Sequence, residues 1–471
     1  MTFARSAKLR SIDSLKEIKN FPYWLDDSAR PEPQNPLTAD IQTDLLIIGG
    51  GFTGLWTALL AKQAEPRREV VLIEGNECGT GASGRNGGFM AASLTHGFEN
   101  GYKHWPSEIE TLLKMGYENL NEIENTIQLF NIDCDFIRSG EITAAIEPYQ
   151  VDEMREIPAK TSIYGGKFTW IEKEELAKIV KSPTYLGALL NPYVAMVNPA
   201  RLAWGLKRAC LELGVRLYEN THALKITDKN DEITVITANG KITARKTALA
   251  TNAFPPLLNR IRHYVVPVYD YALMTEPLNT SQRDSIGWLD RQGLADGANQ
   301  FHYYRITVDG RILWGGYDAV YYKNNGFGTD FEKNQETFER LAEHFFETFP
   351  QLEGVKFTHA WGGAIDTCSR FCSFWDSAHN GKTVYCLGFT GLGVGAARFG
   401  ANVMLDLLDG KKTKRTELEM VKNKPVPFPP EPFRFPIINL TRYSLNQADQ
   451  NQGKRNLWLK ILDMLDLGFD S

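Results

Sequence analysis

The 471-residue chain is poor in the features that usually announce a function. Its six cysteines (78, 134, 210, 368, 372 and 386) are scattered, and the Cys368/Cys372 pair has no Cys or His partners at a fitting distance. Neither a metal site nor a disulfide framework is expected, and thiols read as reduced and structural suit a cytoplasmic location. No run of five or more basic residues occurs and the net charge is −5, which argues against nucleic acid as a partner. The first 21 residues carry charges throughout and have no apolar centre, so no signal peptide is expected. The most apolar windows, 45–61 and 383–408, are broken by glycine and read as buried core, not as membrane spans. No G-x-S-x-G, no H-E-x-x-H and no interpretable His–Asp spacing appears, so no side-chain nucleophile is expected. Tandem repeats and low-complexity segments are absent as well.

What remains is an ordinary globular composition, 43% hydrophobic and 23% charged, in a chain long enough for about two or three domains. One stretch stands out. Residues 43–74 read TDLLIIGGGFTGLWTALLAKQAEPRREVVLIE: an apolar run, a glycine cluster, a helix-compatible segment and a second apolar run ending in an acid. Gly49, Gly51 and Gly54 fill G-x-G-x-x-G, and Glu74 follows Gly54 by 20 residues. Each position has a physical task. The first glycine permits a tight turn, the second lets backbone approach a pyrophosphate, and the third lets helix and strand pack closely. The helix start then offers free N–H groups and a positive dipole end to phosphate, and Glu74 can accept from a ribose hydroxyl. A bound dinucleotide is expected.

Residues 1–39, with Pro31, Pro33 and Pro36, read as an extended strap. A second glycine-rich stretch, GNECGTGASGRNGGFMA, follows Glu74 and suits neither regular helix nor strand. Apolar spacing predicts a helix over 107–129 and another near 331–349, and Asn198-Pro199 with Gly214 bracket a third at 199–213. Strands are expected around 223–229 and 232–244, the latter turning at Asn239-Gly240, and in 263–275 and 301–318. The segment VYCLGFTGLGVGAARFGANVMLDLLDG repeats the opening logic of strand, glycine turn and helix. Six prolines between 425 and 436 introduce a wrapping tail, 421–471.

Taken with GASGRNGGF (81–89), GFTGLGVG (388–395), VNPARLAWGLKRA, VVPVYDYALMTEPL, YYRITVDGRILWGG and WGGAID, the opening motif resembles the D-amino-acid oxidase superfamily of FAD enzymes. Within it the chain is most similar to the gamma-glutamylputrescine oxidase-like branch, over about Trp24 to Leu408. The resemblance implies an α/β fold with a discontinuous Rossmann-like FAD domain (40–95, 198–262 and 355–420). It also implies an α+β substrate domain (96–197 and 263–354) with a large mixed sheet. It implies that Gly49, Gly50, Gly51, Phe52, Thr53 and Gly54 hold the pyrophosphate and Glu74 the ribose. Ser83, Arg85, Asn86 and Gly88 would meet phosphates and flavin, with Ala223, Ala250 and Thr251 around the adenosine. Gly391, Leu392, Gly393 and Val394 would lie beside the flavin's pyrimidine edge, where helix N–H groups stabilise developing negative charge.

The resemblance further implies hydride transfer from a substrate C–N bond to FAD. Candidate pocket residues are Phe89, Met90, Tyr269, Tyr303, Arg305, Tyr317, Asp318 and Asp366. Positions that carry cationic carboxylate anchors in amino-acid-oxidising relatives align with Phe89, Gly395 and Ile365, so a small amine is expected. Asp366 or Asp318 could then pair with its nitrogen, whereas Arg305 or Arg85 as an unconventional anchor would readmit amino acids. FAD is expected to be non-covalent, since no histidine stands in GASGRNGGF and the tethering cysteine aligns with Gly363. Oxygen is the expected acceptor, although the lysine that sarcosine oxidases use for oxygen aligns with Trp314; a quinone or protein acceptor is the alternative. A flavoprotein that does not catalyse, or that acts on a macromolecule, is the remaining alternative class.

Overall fold

The computed structural model describes residues 3, 7–229, 231–465 and 467; the outermost ends of the strap and of the tail lie outside them. Two sheets organise the chain. The first has eight strands in the order Phe374–Ala378, Thr383–Leu387, Lys241–Leu249, Ile41–Ile48, Val70–Ile73 and Arg216–Tyr218, with Glu232–Ile236 and Lys225–Lys229 continuing from Lys241–Leu249 as an antiparallel flap. From Thr383–Leu387 to Arg216–Tyr218 all pairings are parallel. Four carboxyl ends therefore meet along one edge, where Gly49, Glu74, Ala250 and Gly388 each follow directly. Helix Phe52–Ala64 is buried almost all round, against helices Pro199–Glu212 and Gly393–Leu408.

The second sheet is mixed. Its order is Val320–Tyr321, Val266–Thr275, Ile312–Gly316, His302–Ile306, Gly293–Asp296, Glu141–Ala145, Gly187–Asn191 and Thr169–Glu172, and Phe357–Thr367 pairs along the other side of Val266–Thr275. One face packs on helix Gln335–Thr348 through Tyr269, Tyr271, Tyr304, Trp314, Phe338 and Phe345. The other face carries Ala272, Met274, Leu313 and Trp361, covered by Trp24, Leu25 and Trp204. That second face looks toward the nucleotide sheet.

Several local expectations hold with stated causes. Helix Pro199–Glu212 starts where the Asn198 side chain accepts from the Arg201 N–H at 3.1 Å and stops before Gly214 at φ +82°. Ile236 and Lys241 pair across the Asn239-Gly240 turn. The helix placed near 331–349 begins later, at Gln335, because Asn334 caps it and Thr329–Glu332 forms a 3-10 turn. Two boundaries move. Phe357–Thr367, assigned to the nucleotide part by the span 355–420, belongs to the substrate-side sheet by ten cross-strand residue pairs with Val266–Thr275. Conversely Ile109–Leu129, assigned to the substrate part by 96–197, puts Leu112, Leu120, Ile123 and Ile127 into the nucleotide-side core. The strap contains a short helix, Leu9–Ser14, and ties both parts: Leu15 enters the substrate-side core, and the Gln34 N–H donates to Glu219. The tail forms a helix, Arg434–Gln450, whose Asp449 accepts from the Asn299 and Gln300 N–H groups at 2.9 and 3.0 Å. No helix among the described residues is long and apolar enough to cross a membrane.

Candidate active site

The edge where the parallel strands end carries the first half of the site. Gly49 takes φ +113°, and a Cβ there would fall 2.3 Å from the Ala250 carbonyl oxygen. A Cβ on Gly54 would fall 1.8 Å from the Gly49 oxygen, so the helix rests directly on the turn. Gly50 donates its N–H to Glu74 Oε2 at 2.6 Å, and Asn76 donates to Oε1 at 2.8 Å. Burial raises the Glu74 pKa, which these two bonds oppose. The Thr221 N–H binds the Glu74 carbonyl at 2.8 Å, which brings the segment running to Ala223 beside that acid. Underneath, Glu219 is fully buried and accepts from Cys78 N–H and from Lys207 Nζ, both at 2.6 Å. Ser83 Oγ accepts from Phe52 N–H at 2.8 Å and so sits on the helix start beside half-buried Gly51 and Thr53.

The 83–91 loop crosses from this edge to the second sheet. Asn86 braces it internally, donating to the Ala82 and Ser83 carbonyls and accepting from Gly88 N–H at 2.8 Å. Two indoles pin it from the sheet side: Trp24 Nε1 donates to Asn86 O at 2.9 Å and Trp361 Nε1 to Arg85 O at 2.8 Å. Opposite, Gly391 (φ +95°) is exposed with nothing within 4 Å of a Cβ built on it. Helix Gly393–Leu408 begins there with no side-chain cap, so no capping side chain takes up its first-turn N–H groups. Thr251 is half-buried next to Ala250, and Val394 turns into the core.

Strand alternation decides what the second sheet shows to this loop. On the facing side, Val268, Asp270, Gly363, Ile365 and Tyr303 are partly exposed, while Ala272, Met274, Leu313 and Trp361 are covered. Asp270 and Gly363 are direct cross-strand partners. Tyr303 lies flat over Gly315, where a Cβ would stand 2.7 Å from its hydroxyl, and meets Phe89 edge to face at 5.9 Å. Its hydroxyl donates to Asp270 Oδ2 at 2.6 Å. The result is an apolar wall with one carboxylate in it, the composition usual for a small-molecule pocket.

The sequence profile of the FAD-dependent oxidoreductase (DAO) family matches residues 44–407, most of the chain and both halves of this cleft. The chain belongs to this family. Gamma-glutamylputrescine oxidoreductase of Escherichia coli K12 is 29% identical over 416 residues, covering 86% of this chain and 92% of its own length. The probable oxidoreductase OrdL of Haemophilus influenzae is 27% identical over 412 residues, covering 83% and 90%. Among solved structures, glycine oxidase from Geobacillus kaustophilus superposes with a TM-score of 0.67 at 18% identity, over 79% of this chain and 96% of that one.

As a DAO-family oxidoreductase the chain must accommodate FAD, and the residues present fit it. The glycine turn has no room for side chains on its protein side, an acid stands at the end of the second strand, and of the two helix starts that of Gly393–Leu408 lies beside the open Gly391. One cofactor-contact candidate is turned elsewhere. Arg85 donates to the Thr80 and Gly362 carbonyls and pairs with Glu332 at 2.6 Å, so its guanidinium reaches across to the substrate-side sheet instead of the pyrophosphate turn.

Of the pocket candidates, Phe89 and Tyr303 come together at the cleft, and the others do not join them. Met90, next in its strand, points into the nucleotide-side core and is fully buried. Tyr269 lies on the helix-covered face against Tyr322 and Phe331. Tyr317 stacks on His302 and lines a separate cavity of about 30 Å³ with Gln300, Asn446 and Asp449. Asp318 is tied to Thr337 and Arg340 of the covering helix. Asp366 is buried at the strand end, accepting from Gly388 N–H at 2.7 Å, and burial pushes its pKa up to about 7. Arg305 faces the cleft side but is 1% exposed, donating to Val197 O at 2.5 Å and Gly88 O at 3.4 Å beneath the Trp24 ring. It fastens the loops to the sheet. Trp314 is likewise on the far face, fully buried, so the sarcosine-oxidase lysine position has its cleft-side neighbours in Leu313 and Gly315. The residue the sequence reading passed over is Asp270, adjacent to the chosen Tyr269 but on the opposite face.

Proposed function

We propose that this chain oxidises a C–N bond of a small amine that lacks a conventionally held α-carboxylate, with non-covalently bound FAD as hydride acceptor and oxygen as final acceptor. The observation that carries the reading is the state of the cleft-side cations. Arg305 is spent on two backbone carbonyls, and Arg85 on Glu332 and two more. A substrate carboxylate placed there would stay unpaired at a cost of several kcal/mol. Ile365 and Phe89 supply apolar wall instead, which suits an aliphatic or aromatic amine.

When bound, FAD supplies the hydride acceptor. The protein's own part is to hold and orient. Glu74 and the first-turn amides of Phe52–Ala64 suit the adenosine and pyrophosphate, and the uncapped start of Gly393–Leu408 suits a group that gains negative charge. Trp24 and Trp361 fix the 83–91 loop so that the wall opposite does not drift. Non-covalent attachment is supported by Gly363 at the aligned tethering position. Cys368 and Cys372 are both fully buried, and the Cys368 thiol is engaged with the Cys372 and Gly388 carbonyls.

Anaerobic mixing with arylalkylamines, polyamines, N-methyl amino acids and D- and L-amino acids tests the reading. Amines are expected to bleach the flavin, and stopped-flow reoxidation by dissolved oxygen should outpace free flavin. Brisk bleaching by a simple amino acid, abolished by Arg305→Ala without loss of flavin, would overturn it. Acid precipitation should leave the yellow chromophore in the supernatant; a yellow pellet refutes non-covalent attachment.

A further inference from the structure

Asp270 is a carboxylate in an apolar wall, and its surroundings explain neither its presence nor its orientation by folding alone. It sits mid-strand in Val266–Thr275, on the face turned to the 83–91 loop, with Val268 before it, Ala272 after it and Gly363 across from it. Among the described residues it has no ion-pair partner. On this side Arg85 stands over Gly363, its Cβ and Cδ 3.7 and 3.8 Å from a Cβ built there, and its guanidinium is committed to Glu332. What Asp270 does have is one side-chain donor, the Tyr303 hydroxyl at 2.6 Å, and the influence of the nearby Tyr271 and Gly316 backbone N–H groups. These fix its plane while it remains partly exposed to the cleft. Burial pushes its pKa up to about 6, opposed by those same hydrogen bonds. A carboxylate that burial makes costly and that no cation relieves gains most from a cation arriving with the substrate.

We propose that Asp270, aligned by Tyr303, is the residue that recognises the positive charge of the substrate's nitrogen and turns away carboxylates placed next to it. The inference rests on the amine reading above and sharpens it. It assigns selectivity to repulsion as well as attraction: an α-amino acid would bring its carboxylate within a few ångströms of Asp270 with no free cation to compensate. It also replaces Asp318 and Asp366 in that role, since both are consumed by internal partners.

The test uses two probes of equal length and opposite charge, n-butylamine and butanoate, titrated anaerobically into the FAD-loaded enzyme and read by perturbation of the flavin absorbance. The native enzyme should bind n-butylamine more tightly than butanoate. Asp270→Asn should weaken n-butylamine by about tenfold or more, the loss of one charge-assisted hydrogen bond, and should leave butanoate unchanged or tighter. Tyr303→Phe should lose part of the preference. Val268→Lys, which leaves Asp270 intact and places an ammonium two residues away on the same face, should weaken n-butylamine and favour butanoate; it decides the matter if Asp270→Asn does not retain flavin. Equal binding of the two probes by native enzyme overturns the proposal, as does an Asp270→Asn or Val268→Lys protein with native preference. The two readings fail separately. Charge-selective binding through Asp270 with no amine reducing the flavin would refute the amine-oxidation reading alone. Amine turnover with Asp270→Asn binding unchanged would refute this site alone.

Discussion

Gly54 offers the most direct test of how closely the nucleotide helix must sit on its strand. A Cβ at this position would lie 1.8 Å from the carbonyl oxygen of Gly49 and 3.3 Å from Ile47 Cγ2. Reaching ordinary van der Waals contact requires the helix start to retreat by about 1.5 Å, far beyond what a packed interior absorbs without cost. The helix is buried against two others, so Gly54→Ala should destabilise the fold by about 1–3 kcal/mol, the usual range for overpacking. The same retreat withdraws the Thr53 amide, next to the Phe52 N–H that Ser83 Oγ already takes, from the place where a pyrophosphate would accept from it. Loss of one such charge-assisted bond is worth about 1.5–3 kcal/mol, or roughly 10- to 100-fold in FAD affinity. Thermal unfolding of the flavin-free protein reads the first effect, and quenching of FAD fluorescence on titration reads the second. Gly393→Ala serves as control for the melting measurement alone, because the nearest atom to its Cβ is Phe389 Cβ at 3.9 Å. A Gly54→Ala protein with native melting temperature and FAD affinity within about threefold of native would refute the reasoning, since no close approach would then be needed.

Arg305→Met should cost about 3 kcal/mol in urea denaturation by leaving the Val197 and Gly88 carbonyls without their charged donor, while KM for amines in the flavin-retaining protein stays unchanged; a selective KM effect would mean that the guanidinium touches substrate. Asp366 titrates in the folded protein at about 7 instead of its ordinary 3.8, so the native state holds a proton that the unfolded chain has released between those values. Its contribution to stability is therefore full below 3.8 and is lost as pH rises to about 7, and Asp366→Asn should flatten the stability curve across that window; parallel curves for the two proteins would contradict the burial argument.

How much of this was legible in the sequence follows from how local each constraint is. The nucleotide turn was legible because its demands are written residue by residue: a positive φ at Gly49, a backbone-to-backbone contact at Gly54, an acid at the end of the next strand. The same holds for helix Pro199–Glu212, whose cap and stop are single side chains. The cleft wall was not legible, and the reason is phase. In Val266–Thr275 one face is covered by helix Gln335–Thr348 and much of the other by Trp24 and its neighbours, so apart from Asp270 and the terminal Thr275 every position reads as apolar or aromatic, and a single carboxylate makes no polar stripe to set the register. A choice of Tyr269 over Asp270, or of Trp314 over Leu313 and Gly315, is then a slip of one residue that exchanges the two faces of the sheet. Arg305 faced the right way but was already bound to two carbonyls more than a hundred residues distant in the chain, a fact that only folding creates. Phe357–Thr367 joined the substrate-side sheet for the same reason, because strand partners are chosen by tertiary pairing and not by neighbours in sequence. By itself, then, the sequence determined the nucleotide-binding edge, where steric necessity is local; which side chains look into the cleft was decided by the packing of two covered faces, where only the assembled sheet distinguishes inside from outside.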